Sequence, residues 1–194
     1  RPADYPILLH LRELLRPGGR LVDFGGNIGM AYYTARKYYR IPSPLEWVVC
    51  DVPKVIEAAK TVAAREADAE SPLKFTTDLR DAGRCDIFFS SGTLQFIERP
   101  LPALLQELPQ LPSSVLINRI PVWDRQALAT IHDIGFCFAP YQVFNRQRFL
   151  ESMQAIGYRL VDTWSCPEST FSIRFRPYLR LNAYQGFYFS RAGA

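Results

Sequence analysis

The residues best suited to chemistry crowd into one stretch of the chain, Gly19-Arg-Leu-Val-Asp-Phe-Gly-Gly-Asn-Ile-Gly29. An apolar run from Leu21 closes on a carboxylate, Asp23. Gly25, Gly26, Asn27 and Gly29 then form a turn ahead of what reads as a helix from about Ile28. Strand, glycine turn and helix N-terminus together present backbone N–H groups to a ligand. A second acid, Asp51, ends another apolar run 22 residues beyond Gly29. There a carboxylate can accept the hydroxyl protons of a ribose, although it also suits a helix cap ahead of Pro53. Val52 adjoins that acid. Asp78 and Leu79 follow a third run, where Asp78 either reaches an adenine amino group or caps a turn. Ser91 and Gly92 follow a fourth run and would line the floor of the same site.

The register of the glycines decides between two nucleotide readings. A dinucleotide fingerprint, G-x-G-x-x-G, read back from Gly29 and Gly26, needs its first glycine at Phe24. The class I methyltransferase motif, acid-x-G-x-G-x-G, is met by Asp23, Gly25 and Gly29; Asn27 stands at the middle glycine and Gly26 is additional. The cofactor expected is therefore S-adenosylmethionine, leaving S-adenosylhomocysteine as product.

Methyl transfer from a sulfonium is an in-line displacement, so alignment of the acceptor matters most. An oxygen acceptor also needs a base with a pKa near neutrality. Of the two histidines, His10 sits on the helix face opposite most of its leucines and reads as a surface residue. His132, next to Asp133 in the loops past the fifth apolar run, is the candidate base; a loop histidine without a role is the competing reading. Arg119 is the second catalytic candidate, a forked donor for an anionic group on the acceptor, or else a salt-bridge partner at the sheet edge. Tyr32, Trp123 and Tyr141 are candidate walls of the acceptor site, with aromatic faces that favour a sulfonium charge.

The elements that must position these groups follow from hydrophobic periodicity. Ile7, Leu8, Leu11, Leu14 and Leu15 recur at helical spacing between Tyr5 and Leu15, and Pro17-Gly18-Gly19 stops that helix. Strands are expected at 21–24, 47–50, 73–76, 86–90 and 114–118, separated by helices from Ile28 to the prolines at 42 and 44, from Pro53, and over 100–108. Such alternation predicts an α/β fold, a parallel sheet with helices on both faces. Residues 121–144 carry Pro121, Gly135 and Pro140 and show no clean period. A helix capped by Asn145 follows, then strands at 158–164 and 185–190 joined by an irregular connection, 166–184. Within it Ser172-Ile-Arg-Phe-Arg-Pro-Tyr-Leu-Arg180 alternates cations with aromatics. That pattern suits single-stranded nucleic acid or a lipid-linked phosphate, and better a solvated hairpin with Arg outward.

Composition sets outer bounds. A chain 48% hydrophobic and 22% charged supports one full-sized core, hence one domain over 1–194. A net charge of +4 is too small to require nucleic acid, and none is expected as a partner. Cys50, Cys85, Cys137 and Cys166 form no C-x-x-C pair, so no metal site and a reducing, cytoplasmic setting are expected. No apolar stretch is long enough to span a bilayer. The chain begins at Arg1 without Met and reads as a piece lacking upstream residues.

Three segments carry a family resemblance: Leu21-Val-Asp-Phe-Gly-Gly-Asn-Ile-Gly29, Ser90-Ser-Gly-Thr-Leu-Gln-Phe-Ile97 and Leu116-Ile-Asn-Arg-Ile-Pro121. Over Tyr5 to about Tyr158, and again at Gly186-Phe-Tyr-Phe, the chain resembles a family of bacterial class I S-adenosylmethionine-dependent methyltransferases often found in surface-polysaccharide gene clusters. The resemblance implies a Rossmann-like class I methyltransferase fold, seven mostly parallel strands with the last antiparallel. It also implies O-methylation of a small-molecule or glycan acceptor. The family carries Asp where this chain has Asn118, and 139–144 match its Tyr-Pro loop only loosely. These two departures keep open a methyltransferase-like binding module without turnover. An NAD-dependent oxidoreductase is disfavoured by Phe24 and by the lack of a Tyr-x-x-x-Lys pair past the fourth strand.

Overall fold

The computed structural model describes residues 2–66, 73–135 and 137–191. Its chain order is α1 (Asp4–Leu14), β1 (Gly19–Phe24), α2 (Met30–Arg36), β2 (Leu45–Cys50), α3 (Pro53–Arg65), β3 (Leu73–Thr76), β4 (Ile87–Ser91), α4 (Leu101–Leu105), β5 (Ser114–Ile120), β6 (Val122–Trp123), β7 (Leu128–Asp133), β8 (Phe138–Asn145), α5 (Arg146–Gln154), β9 (Tyr158–Cys166), β10 (Phe171–Ile173), β11 (Arg176–Leu181) and β12 (Tyr184–Arg191). Single 3-10 turns at Leu79–Ala82 and Leu94–Phe96 follow β3 and β4.

Seven strands form one sheet in the order β3-β2-β1-β4-β5-β12-β9. β1 pairs in parallel with β2 and β4, and β4 with β5, whereas β12 runs antiparallel to both β5 and β9. This is the class I methyltransferase arrangement, with the last strand reversed and inserted next to the edge.

Alternation along the central strands divides their side chains between two cores, as strand geometry requires. Val22, Phe88, Val115 and Ile117 pack with Leu104, Leu105, Phe149 and Met153 of α4 and α5. Leu21, Ile87, Phe89 and Leu116 pack with Ile7, Leu11, Tyr32 and Ile56 of α1, α2 and α3. Continuous apolar runs in β4 and β5 are the consequence of a sheet covered on both faces.

One expectation about the strands needs correction. Residues 121–144 are regular: β6, β8 and β7 form a three-stranded sheet with β7 antiparallel to β8. Pro140 stands opposite Ile131 in that ladder, but β6 reaches only Phe144 and Asn145, so Pro140 keeps its non-donating nitrogen on an open edge. Within 166–184, expected as an irregular connection, the segment of alternating cations and aromatics forms the hairpin preferred for it, β10–β11, with Arg176, Tyr178 and Arg180 exposed and Leu179 and Leu181 turned toward the protein. Both helices expected to be longer also stop early. α2 ends at Arg36, and α4 ends at Leu105, ahead of Pro109 and Pro112, whose preceding residues are driven out of the helical region.

Candidate functional site

The strand order reverses between β1 and β4, because β2 and β3 lie to one side of β1 and β5 to the other. In an open α/β sheet, ligands bind beyond the carboxyl ends of strands at such a point. A cavity of about 440 Å³ opens there, within the usual range for small-ligand sites. Its floor is Gly25, Gly26 and Asn27 after β1, with Phe89, Ser91, Gly92 and Thr93 from β4 and Arg119 from β5.

The glycine turn is shaped by what lies behind it. Asp23 is 1% exposed, and its Oδ2 accepts a hydrogen bond from Trp47 Nε1 at 3.3 Å. Burial raises the Asp23 pKa from an ordinary 3.8 to about 7, against the lowering effect of the Trp47 bond. A Cβ on Gly25 would meet Thr93 Oγ1 at 2.1 Å, so only a bare α-carbon fits. Asn27 has φ 55°, the left-handed region that Asn tolerates best after glycine. That backbone need explains why Asn stands where the motif has a glycine. Asn27 Oδ1 accepts from the Ile28 N–H at 2.8 Å, and the Asn27 N–H donates to Asp51 Oδ2 at 2.9 Å. Asp51 therefore braces the turn from β2, and its Oδ1 accepts from the Val52 N–H at 2.8 Å. Gly29, φ 89°, begins α2.

Arg119 is the other conformational outlier. A non-glycine φ of 54° directly inside β5 turns its guanidinium into the cavity. Nε donates to Ser91 Oγ at 3.0 Å, and Nη2 lies 3.4 Å from Asp4 Oδ1 on α1. Asn118, beneath it, is fully buried; Nδ2 donates to the Ala3 carbonyl at 3.1 Å, and Oδ1 accepts from Trp164 Nε1 at 2.9 Å. An aspartate could not make the first of these bonds, which accounts for the amide where the resembled family has an acid.

Other predicted residues lie outside this lining. Asp78 is held by the Arg80 side chain and backbone N–H, and its pKa falls to about 2; Leu79 is buried. Tyr32 is 2% exposed and packs edge-on against Trp47. Trp123 and Tyr141 belong to a separate apolar cluster with Phe171 and Tyr184. Burial and the Tyr184 hydroxyl raise the Tyr141 pKa. His132 lies on β7 against Tyr141, ring centroids 5.0 Å apart, and Phe96, 5.8 Å. Asp133 accepts from the Gly135 N–H at 2.8 Å.

Sequence reasoning passed over the other wall of the cavity, Asp4, Ile7, Leu8 and Leu11 of α1 with Met30 and Thr34 of α2. The helical spacing of Ile7, Leu8 and Leu11 was the available signal, but it marks a buried face without saying what shares it. His10, read as a surface residue, has a side chain only 12% exposed; it bonds Asp162 at 2.8 Å and packs on Tyr188, which pins α1 across β9 and β12.

No family model and no curated protein matches this sequence. Solved structures do match by fold. Magnesium protoporphyrin IX methyltransferase from Synechocystis PCC 6803, with bound SAH, aligns at TM-score 0.63 and 14% identity over 97% of this chain and 81% of that one. A 1,6-didemethyltoxoflavin-N1-methyltransferase from Burkholderia thailandensis aligns at 0.63 and 18% over 98% and 77%. An S-adenosylmethionine-dependent methyltransferase from Mesorhizobium loti aligns at 0.61 and 15% over 97% and 98%. At these identities the likeness establishes the class I methyltransferase fold.

Proposed function

We propose that this single domain is an S-adenosylmethionine-dependent methyltransferase acting on a small-molecule acceptor, by O-methylation of a sugar-type or other hydroxyl. The observation that carries the reading is the turn after β1, where Gly25 and Gly26 have no room for a Cβ and line the cavity at the strand-order reversal. A cradle of bare backbone, with a carboxylate from the neighbouring strand fixed beside it, fits an adenosyl ligand. Asp51 would take the ribose hydroxyls, Val52, Asp78 and Leu79 would border the adenine, and Gly25, Gly26, Asn27, Gly29, Ser91 and Gly92 would surround the remainder. Asp23 would act from behind the turn. When bound, the cofactor supplies an electrophilic methyl group on a sulfonium.

On the acceptor side Arg119 is the residue best supported. Its strained backbone aims a guanidinium between Ser91 and Asp4, where it can orient an anionic or hydroxyl group of the acceptor. His132 would serve as base only for an acceptor that reaches past Phe96; Tyr141 and Trp123 would then bound its far end, and Tyr32 would support α2 from within the core. The engagement of Arg119 by Asp4 favours a second reading, a module that holds the cofactor without turnover.

Calorimetry with adenosylmethionine, adenosylhomocysteine and NAD tests the reading. Micromolar binding of both methionine cofactors and none of NAD is expected; the reverse order would overturn it. Tight cofactor binding with no methyl transfer to any hydroxyl acceptor would select the second reading.

A further inference from the structure

The β10–β11 hairpin is the part of the molecule that the methyltransferase reading leaves without work. Its inward side chains, Phe171, Ile173, Leu179 and Leu181, pack on Trp123, Tyr141 and Tyr184, so it is anchored. Its apex is built unlike a surface loop. Phe175 is 90% exposed and holds φ 62°, a left-handed conformation that is strongly disfavoured for a bulky side chain. A glycine or asparagine there would relieve the strain and remove an apolar ring from water. Both penalties fall on one residue, at the point farthest along a two-residue loop.

Cations accompany that ring along the hairpin. Arg174, Arg176 and Arg180 are exposed, no acid occurs between Phe171 and Leu181, and no carboxylate among the described residues pairs with any of the three. The Arg174 guanidinium lies 5.7 Å from the Phe175 ring centroid, and Arg176 donates to the Tyr178 hydroxyl at 3.1 Å. Arg125 Nη1 donates to the Tyr178 carbonyl at 2.8 Å, which adds a fourth cation and steadies the strand.

An apolar tip with exposed arginines beside and behind it matches an interface that is apolar within and anionic at its rim. We propose that this hairpin docks the protein on membranes containing anionic phospholipid, with Phe175 entering the headgroup–acyl boundary and the arginines on lipid phosphates. Nucleic acid fits less well. A single-strand binder tracks the backbone in a basic groove with successive rings for successive bases, whereas this hairpin offers a projecting tip with one ring already faced by Arg174.

The test is cosedimentation of the whole chain with phosphatidylcholine vesicles, with and without phosphatidylglycerol, at low and high salt. Binding only to the anionic vesicles, weakened by salt, is expected. Phe175→Gly, which suits the positive φ and so keeps the fold, should lower partitioning several-fold with no loss of thermal stability. Arg174→Ser with Arg176→Ser should lower it by about fivefold for each arginine. In Phe175→Trp, brominated acyl chains should quench the introduced indole. Failure of the wild-type chain to bind anionic vesicles, unchanged partitioning of Phe175→Gly, or tighter binding to a single-stranded oligonucleotide than to vesicles would each overturn the proposal. None of these outcomes depends on whether the cofactor binds.

Discussion

The α-carbon of Gly26 faces the carboxyl group of Asp23 so closely that an ideal Cβ would stand 2.5 Å from Asp23 Cγ and 2.7 Å from Oδ2. The additional glycine of the motif and the buried acid are thus one unit: the acid occupies the space that the glycine vacates. Gly26→Ala must push either the turn or a carboxyl group already held by Trp47. We expect a loss of about 1–3 kcal/mol and a drop in Tm of roughly 2–4 °C per kcal/mol, with adenosylhomocysteine affinity falling alongside. Calorimetry with and without the ligand checks both parts.

Burial of Asp23 also gives the apo protein a pH signature. With the folded pKa raised from 3.8 to about 7, the folded state holds a proton that the unfolded chain has released between those values. Stability is therefore fullest below the unfolded pKa and is lost progressively as pH rises from there through about 7. The loss amounts to a few kcal/mol, at about 1.4 kcal/mol for each pH unit that separates the two values. Asp23→Asn removes this slope. Thermal melts across about pH 5 to 8, read as a Tm difference between the two proteins that widens with pH, give the measurement. A constant difference would show that the carboxyl is ionised throughout.

Asn118 ties the start of α1 to β9, donating to Ala3 and accepting from Trp164. Asn118→Asp sets an acceptor against the Ala3 carbonyl and leaves that oxygen unsatisfied, at a cost of about 1–3 kcal/mol, more if the acid ionises. Protonation restores a donor, so this variant should regain much of its stability on acidification, while Asn118→Ala should not. Limited proteolysis near Ala3 together with melting curves at two pH values separates them.

Much of this was legible in the sequence because the central strands are covered on both faces. β4 and β5 read as apolar runs, and the acid and glycines that close the central strands, Asp23, Gly25, Gly26 and Gly92, fall where the cavity lies. The β7–β8 hairpin was not legible. In β7, Thr130 and His132 share the inward face with Leu128, and β8 contains Pro140 at an open edge, so neither strand shows apolar alternation. His10 failed for a related reason. A helical wheel shows which face is apolar, but Tyr188 and Trp164 reach up from distant strands to cover the face opposite. The wall contributed by α1 was hidden likewise, since Ile7, Leu8 and Leu11 serve core and cavity at once.

Asp51 fixes the glycine turn through the Asn27 N–H and is the acid proposed to take the ribose hydroxyls. Asp51→Ala should weaken adenosylhomocysteine binding by about tenfold or more, the worth of a hydrogen bond to a charged group at roughly 1.5–3 kcal/mol. Asp51→Asn should retain part of that affinity, since its amide oxygen can still accept from Asn27. Titration of the three proteins at one ionic strength orders them; equal affinities would remove Asp51 from the site.

Gly186 on β12 offers the most severe backbone test. A Cβ there would lie 2.0 Å from Trp164 Cε2 and 2.1 Å from its Nε1, the atom that donates to Asn118. The indole cannot retreat without giving up that bond, so Gly186→Ala carries both a steric cost and the loss of the stronger donor to Asn118 Oδ1, which would keep only the weak Cys166 thiol at 3.4 Å. We expect about 3 kcal/mol or more, seen as a large fall in Tm. Because Asn118→Ala removes the same bond, the double variant should lose less than the sum of the two single losses, by about 0.5–3 kcal/mol as is usual for residues sharing a network. Additive losses in denaturant titrations would mean that Trp164 swings aside freely and that the link from β12 through Asn118 to α1 carries no load.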